Sequence, residues 1–174
     1  MNVLGIETSC DETSAAIVRD GRTVLSNVVF TQIAQHRPYG GVVPEIACRS
    51  HVEEIAGLVQ QAVDDAKLAW AQIDAVAVTY GPGLASSLLV GLSAAKALAL
   101  RLGKPLLGVN HIEAHLYSLF LGPDAPLPET VASMIVLMVS GGHTGLVRIE
   151  NVGSYKLLGP VSYTHLTLPT IYSV

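Results

Sequence analysis

The chain has 174 residues, half of them hydrophobic and only 14% Asp, Glu, Lys or Arg, with a formal net charge of -4. That composition allows one sizeable core or two small ones. It puts the charged share well under the usual quarter or so, and it excludes the whole-chain basic footprint of a dedicated nucleic-acid binder. Much of the surface is therefore expected to meet something else, and any contact with RNA is expected to be local or shared with a partner.

Cys10 and Cys48 are too few for a disulfide framework, and no charged leader followed by a cleavable apolar segment opens the chain, so a cytoplasmic protein is the default expectation. Asn2 to Glu7 is an apolar run that enters a polar turn, and Ser14 to Val18 resumes as a second strand before Asp20-Gly21, which together predict a hairpin. Thr23 to Thr31 has the β-branched content of a third strand. After the Tyr39-Gly40-Gly41 loop, Pro44 suits the first turn of a helix whose apolar positions Val52, Ile55, Ala56, Val59 and Val63 recur at helical spacing.

Ile73 to Thr79 predicts a strand running into Gly81-Pro82-Gly83, followed by the apolar stretch Leu84 to Leu102. Ser86, Ser87, Ser93, Lys96 and Arg101 interrupt that stretch, so it reads as a buried helix and not as a membrane span. Leu106 to Val109 is a short strand leading into a helix with His111 and His115, and Gly122 to Glu129 is a proline-rich loop between lobes. Met134 to Val139 reads as another buried strand, and Gly145 to Ile149 pairs back on it. Two hairpin openings, each with a polar Gly/Ser/Thr turn, predict a duplicated α/β nucleotide-binding lobe.

Val161 to Val174 breaks the pattern, with neither helical nor strand periodicity. Val161 to Thr170 reads as the in-frame translation of a transposon-end adaptor used in sequencing libraries, so residues 161–174 are expected not to be native, and Tyr163, Thr164 and His165 receive no functional reading.

Three clusters could carry chemistry. The turn Glu7 to Thr13 gathers hydroxyls, carboxylates and a thiol, and reads either as a phosphate or metal contact or as side chains capping their own turn. Cys10 within it reads as a buried, inert thiol. His111 and His115, at i,i+4 on one helical face, are spaced to share one metal ion. Glu113 falls midway between them and not at the second position of a His-Glu-x-x-His motif, which disfavours a zinc peptidase. Val139 to Thr144 offers a glycine pair after a strand, either a phosphate-approaching loop or an ordinary hairpin turn. Gly81-Pro82-Gly83 lacks the Lys of a Walker A loop and reads as a structural turn. His36, His51 and Trp70 have no partners in sequence and read as surface or core residues.

In combination and order, GIETSCDETS (Gly5 to Ser14), YGGVVPEIACRSHVEEI (Tyr39 to Ile55), YGPGLASSLLVG (Tyr80 to Gly91), NHIEAHLYS (Asn110 to Ser118) and VSGGHT (Val139 to Thr144) resemble the bacterial-type tRNA N6-adenosine threonylcarbamoyltransferase family, once labelled O-sialoglycoprotein endopeptidases. The resemblance implies an actin-like ATPase (ASKHA, ribonuclease H-like) α/β fold, truncated after the start of the second lobe. Residues 1–107 are then expected to form the first lobe and 108–160 the beginning of the second. It implies transfer of a threonylcarbamoyl group from threonylcarbamoyl-AMP to N6 of adenosine 37 in tRNAs reading ANN codons. It also implies one divalent metal ion, Fe(2+) or Zn(2+), on His111 and His115. Substrate contacts are implied at Met138, Val139, Ser140, Gly141, Gly142, Ser9 and Asp11, and a catalytic role for Glu12 near the reactive carbonyl. The implied partners are tRNA, a companion scaffold paralogue and the ATPase subunits of the bacterial complex, with no membrane. The family's carboxylate metal ligand and further nucleotide contacts normally follow Gly159, so the chain as written is expected to be inactive and poorly soluble. An actin-fold phosphotransferase and the non-catalytic scaffold paralogue are the rival readings, and neither has a use for the His111/His115 pair.

Overall fold

The computed structural model describes residues 1–127, 130, 133–139, 144–151 and 153–160. The chain divides into two compact units, Met1–Asp124 and Ala125–Val174, and residues 161–174, the suspected adaptor tail, lie outside the described residues. Residues 108–124, placed from the sequence at the start of a second lobe, pack within the first unit, and the division falls inside the expected proline-rich loop.

The first unit is built on a five-stranded sheet of order β3-β2-β1-β4-β5. Its strands are β1 (Asn2–Glu7), β2 (Glu12–Arg19), β3 (Thr23–Thr31), β4 (Ala75–Gly81) and β5 (Leu106–Asn110). β1, β2 and β3 pair antiparallel, whereas β1–β4 and β4–β5 pair parallel. Parallel neighbours need a crossover, and two helices supply them: α2 (Pro44–Asp65) between β3 and β4, and α3 (Ala85–Leu102) between β4 and β5. A one-turn helix α1 (Ile33–His36) follows β3, and α4 (His111–Tyr117) follows β5. This is the actin-like, ribonuclease H-like lobe that the motif order implies.

The core lies between one sheet face and the helices. Leu4, Ile6, Ala15, Ile17, Val76 and Val78 alternate inward from the strands and meet Ile55, Leu58, Val59, Ala62 and Val63 of α2 with Ala95 and Ala99 of α3. The apolar stripe expected on α2 is shifted: Ile55, Val59 and Val63 are buried as the spacing predicts, but Val52 and Ala56 are exposed and Ala47, His51, Leu58 and Ala62 take the inner face.

Two expectations of burial are corrected. α3 buries only the stripe Ser87, Gly91, Ala95 and Ala99, and leaves Leu89 and Leu100 exposed, because the sheet and α2 cover one side of it. It is long and apolar enough, by length and composition, to cross a membrane, yet its small-residue stripe is seated on β4 and α2. In the second unit, β6 (Met134–Val139) exposes Ile135, Leu137 and Val139. It forms a three-stranded antiparallel sheet with β7 (Thr144–Asn151) and β8 (Ser154–Pro160), a strand that the sequence reading did not anticipate. A sheet this small has little to cover both faces, so its apolar residues alternate in and out and are not buried throughout.

A buried polar relay ties the first hairpin turn to α2. His36 Nδ1 accepts from the Val43 N–H at 3.2 Å, and its Nε2 donates to Gln32 Oε1 at 3.0 Å. Gln32 Nε2 and the Thr13 hydroxyl both approach His51 Nδ1, at 3.4 and 2.8 Å, so His51 carries its proton on Nε2 and donates to the Cys10 carbonyl at 3.1 Å. Gln32, Thr13 and His51 are fully buried. Burial pushes the His51 pKa down, with His36 adding to the effect; the Cys10 carbonyl, Glu7 and Asp11 oppose it without prevailing. The unfolded chain therefore takes up this proton first. The stability owed to neutral His51 is complete above the ordinary value of about 6.5 and is lost as pH falls below it. Thermal melts between pH 7.5 and pH 5.5 should show a smaller acid-side drop in midpoint for His51→Asn than for the unsubstituted chain; equal drops would contradict this.

Candidate functional site

The turn between β1 and β2 and the start of α4 meet at one end of the five-stranded sheet. Asn110 caps α4, its side-chain oxygen accepting from the N–H groups of Ile112 and Glu113 at 2.9 and 3.3 Å, which satisfies donors that the first helical turn leaves open. Because β5 delivers the chain to that cap, His111 opens the helix and His115 sits one turn on. Their rings lie edge to face, centroids 4.6 Å apart, with the two Nε2 atoms 3.1 Å apart.

Behind them sits Glu7, the last residue of β1. Its carboxylate accepts from the Ser9 N–H and from the Thr79 hydroxyl, and Oε2 lies 3.5 Å from His111 Nδ1. Ser9 Oγ is 3.1 Å from the same Nδ1. Burial alone would raise the Glu7 pKa, but the hydrogen bonds from His111, Ser9 and Thr79 hold it at about 2. In the sequence Glu7 stands out only as the first carboxylate of the polar turn; its partners Thr79 and His111 are remote in sequence and reach it only on folding.

The other residues singled out in this turn divide. Ser9 is buried and joins His111 directly. Glu12 is exposed at the start of β2; since Ser14 pairs with Glu7 across the ladder, Glu12 lies on the same sheet face as both. Asp11 is half-buried in the turn, where its carbonyl accepts from the Gln32 N–H at 3.1 Å. Cys10 corrects an expectation, since it is exposed and not buried. Its thiol is nonetheless not activated, because desolvation, with Asp11, Glu7 and Glu12 nearby, pushes its pKa up. Gly81-Pro82-Gly83 behaves as a structural turn: the Leu84 N–H donates to the Ser9 carbonyl at 2.8 Å, so the turn after β4 clamps the turn after β1.

A cavity of about 400 Å³ adjoins this cluster, floored by the small residues Gly5, Ala16 and Ala77 and walled by His111, His115 and Ser118. Its size suits a small-molecule site. Among the described residues, no group of three or more His, Cys, Asp or Glu is placed to hold a metal ion. His111 and His115 bring two imidazole nitrogens together in the wall of this cavity.

A family model described as tRNA N6-adenosine threonylcarbamoyltransferase matches residues 23–164. The chain belongs to that family. Curated relatives of that name include those of Protochlamydia amoebophila, 52% identical over 161 residues, covering 91% of this chain and 46% of the relative, and Trichlorobacter lovleyi, 55% identical over 159 residues, covering 91% and 45%. The chain thus spans about half the length of the curated relatives it matches. Among solved structures, YeaZ from Pseudomonas aeruginosa matches with a TM-score of 0.56 at 19% identity, over 91% of this chain and 64% of that one. At that identity the likeness speaks to the fold alone.

Family membership favours the transferase reading over a phosphotransferase of the same fold. The substrate loop implied by the resemblance begins in the second unit. Met138 is half-buried opposite Gly145, and Val139 is exposed and pairs with Thr144 at the end of β6. Ser140, Gly141 and Gly142 lie outside the described residues.

Proposed function

We propose that this chain forms the amino-terminal part of an enzyme that transfers the threonylcarbamoyl group of threonylcarbamoyl-AMP to N6 of adenosine 37 in tRNAs reading ANN codons, working in the cytoplasm with a scaffold paralogue and ATPase subunits. Family membership supports the reaction class, and the observation that carries the site is the facing Nε2 pair of His111 and His115.

The pair fits one divalent ion, Fe(2+) or Zn(2+). Two imidazole nitrogens each about 2.0–2.1 Å from a tetrahedral ion stand about 3.3 Å apart, close to the 3.1 Å found here. When bound, such an ion supplies charge stabilisation for an acyl oxygen. The remaining ligands would come from outside the described residues.

The chain's own residues do the positioning. His111 and His115 would hold the ion, Ser9 and Glu7 fix the His111 ring, and Asp11 in the turn contacts substrate, whereas buried Ser9, expected from the resemblance to contact it, is committed to His111. Glu12, exposed on the same sheet face as Glu7, takes the proton from the attacking N6. The nucleotide phosphate is assigned by the family resemblance to Ser140, Gly141 and Gly142, which lie outside the described residues.

The test is single-turnover transfer of labelled threonylcarbamoyl to an unmodified tRNA by the full-length protein with its companion subunits. Label at adenosine 37 is expected, with a rate lowered about 100-fold or more in Glu12→Gln and tRNA affinity little changed. Absence of labelled tRNA would refute the reaction; an unchanged rate would remove Glu12 from it.

A further inference from the structure

We propose that Glu7 is the positioning residue that fixes His111 as its Nδ1–H tautomer, so that Nε2 turns a lone pair toward His115 and a shared ion. The inference rests on the reading of His111 and His115 as metal ligands, and it is carried by the donors and acceptors gathered at the end of β1.

His111 Nδ1 faces two groups, Ser9 Oγ at 3.1 Å and Glu7 Oε2 at 3.5 Å. The Ser9 hydroxyl has one proton to give. Were it given to His111, Nδ1 would be a bare lone pair pointing at a carboxylate oxygen, and the hydroxyl would forgo the stronger acceptor, since hydrogen bonds to an ionised carboxylate are roughly twice as strong as neutral ones. An ionised carboxylate only accepts, and the Ser9 N–H and the Thr79 hydroxyl already point at this one. The consistent assignment has the Ser9 hydroxyl and His111 Nδ1–H both serving the Glu7 side. His111 Nε2 is then the acceptor of the His111–His115 contact. An orienting carboxylate behind a ligating imidazole is the arrangement that fixes tautomer and ring together.

Glu7→Gln reverses this logic with little change of shape. The amide oxygen is held by the Ser9 N–H, which needs an acceptor, so the NH2 group occupies the position of Oε2 and becomes a donor toward His111 Nδ1. His111 must then protonate at Nε2, where it can no longer ligate.

The experiment is long-range proton–nitrogen correlation NMR of the imidazoles in the metal-free full chain, unsubstituted and Glu7→Gln, paired with Zn(2+) affinity by chelator competition. A pyrrole-type Nδ1 and pyridine-type Nε2 at His111 are expected in the unsubstituted chain, exchanged in Glu7→Gln, with affinity lowered about 10–100-fold. A protonated Nε2 in the unsubstituted chain overturns the proposal without reference to any variant, and so does an Nδ1–H tautomer that persists in Glu7→Gln. The expected tautomers with no Zn(2+) bound by the unsubstituted chain would uphold Glu7 and refute the His pair as a metal site, so the two failures are separable.

Discussion

Replacing either His111 or His115 by Ala in the full-length protein is expected to lower its affinity for Zn(2+) or Fe(2+) by at least about 100-fold, at or beyond the 10–100-fold that loss of an outer-shell partner costs. The reason is geometric. The two Nε2 atoms, 3.1 Å apart, would grip the proposed ion at two points, and one imidazole alone is a single donor where an ion usually takes three or four protein ligands. The double substitution should therefore add little to either single one, a non-additivity expected of groups that act as a unit. Cys10→Ser should leave affinity unchanged, since that exposed thiol is held in its protonated form. Chelator competition measures all four proteins. Undiminished affinity in either single variant would place the ion elsewhere.

Gly83→Ala is expected to destabilise the chain by about 2–3 kcal/mol, the upper part of the range for forced overpacking. A Cβ at Gly83 would stand 2.5 Å from the Ser9 carbonyl oxygen and 2.7 Å from Ser9 Cβ. The obstruction is largely backbone, which no rotamer change relieves, and it falls on the residue that touches His111. Gly57 gives the opposite sign. It lies within α2 with nothing near its Cβ position, so Gly57→Ala should stabilise by up to about 1 kcal/mol through helix propensity and a less free unfolded chain. Denaturant melts read both. A neutral Gly83→Ala would mean that the two turns are not clamped as described.

Local pattern carried most of the first unit. Apolar alternation and β-branched content marked β1, β2 and β3, Pro44 marked the start of α2, and Gly81-Pro82-Gly83 marked the passage from β4 to α3. The His111/His115 spacing was legible because i,i+4 is a property of the helix itself. What sequence could not show depends on remote neighbours. Glu7 sits in a run of apolar and small residues, and its part becomes visible only when folding brings Thr79 and His111 to its carboxylate. His51 likewise gains its partners from Cys10 in the first hairpin turn, Thr13 in β2 and Gln32 after β3, all remote from it in sequence.

Apolar content is not the same as coverage. The leucines of α3 and the apolar residues of β6 state a need for an apolar neighbour and cannot say whether the chain supplies one. Leu89, Leu100, Ile135 and Leu137 are exposed here. Cys10 departs from expectation in the same way, since a small thiol is buried by type preference and exposed here by its position at a turn.

X-ray absorption fine structure on the full-length protein loaded with one equivalent of Zn(2+) bears most directly on the central claim. Two imidazole nitrogens are expected at about 2.0–2.1 Å from the ion, both lost in the His111→Ala/His115→Ala protein. An unchanged ligand shell in that variant, or a shell without imidazole, would contradict it.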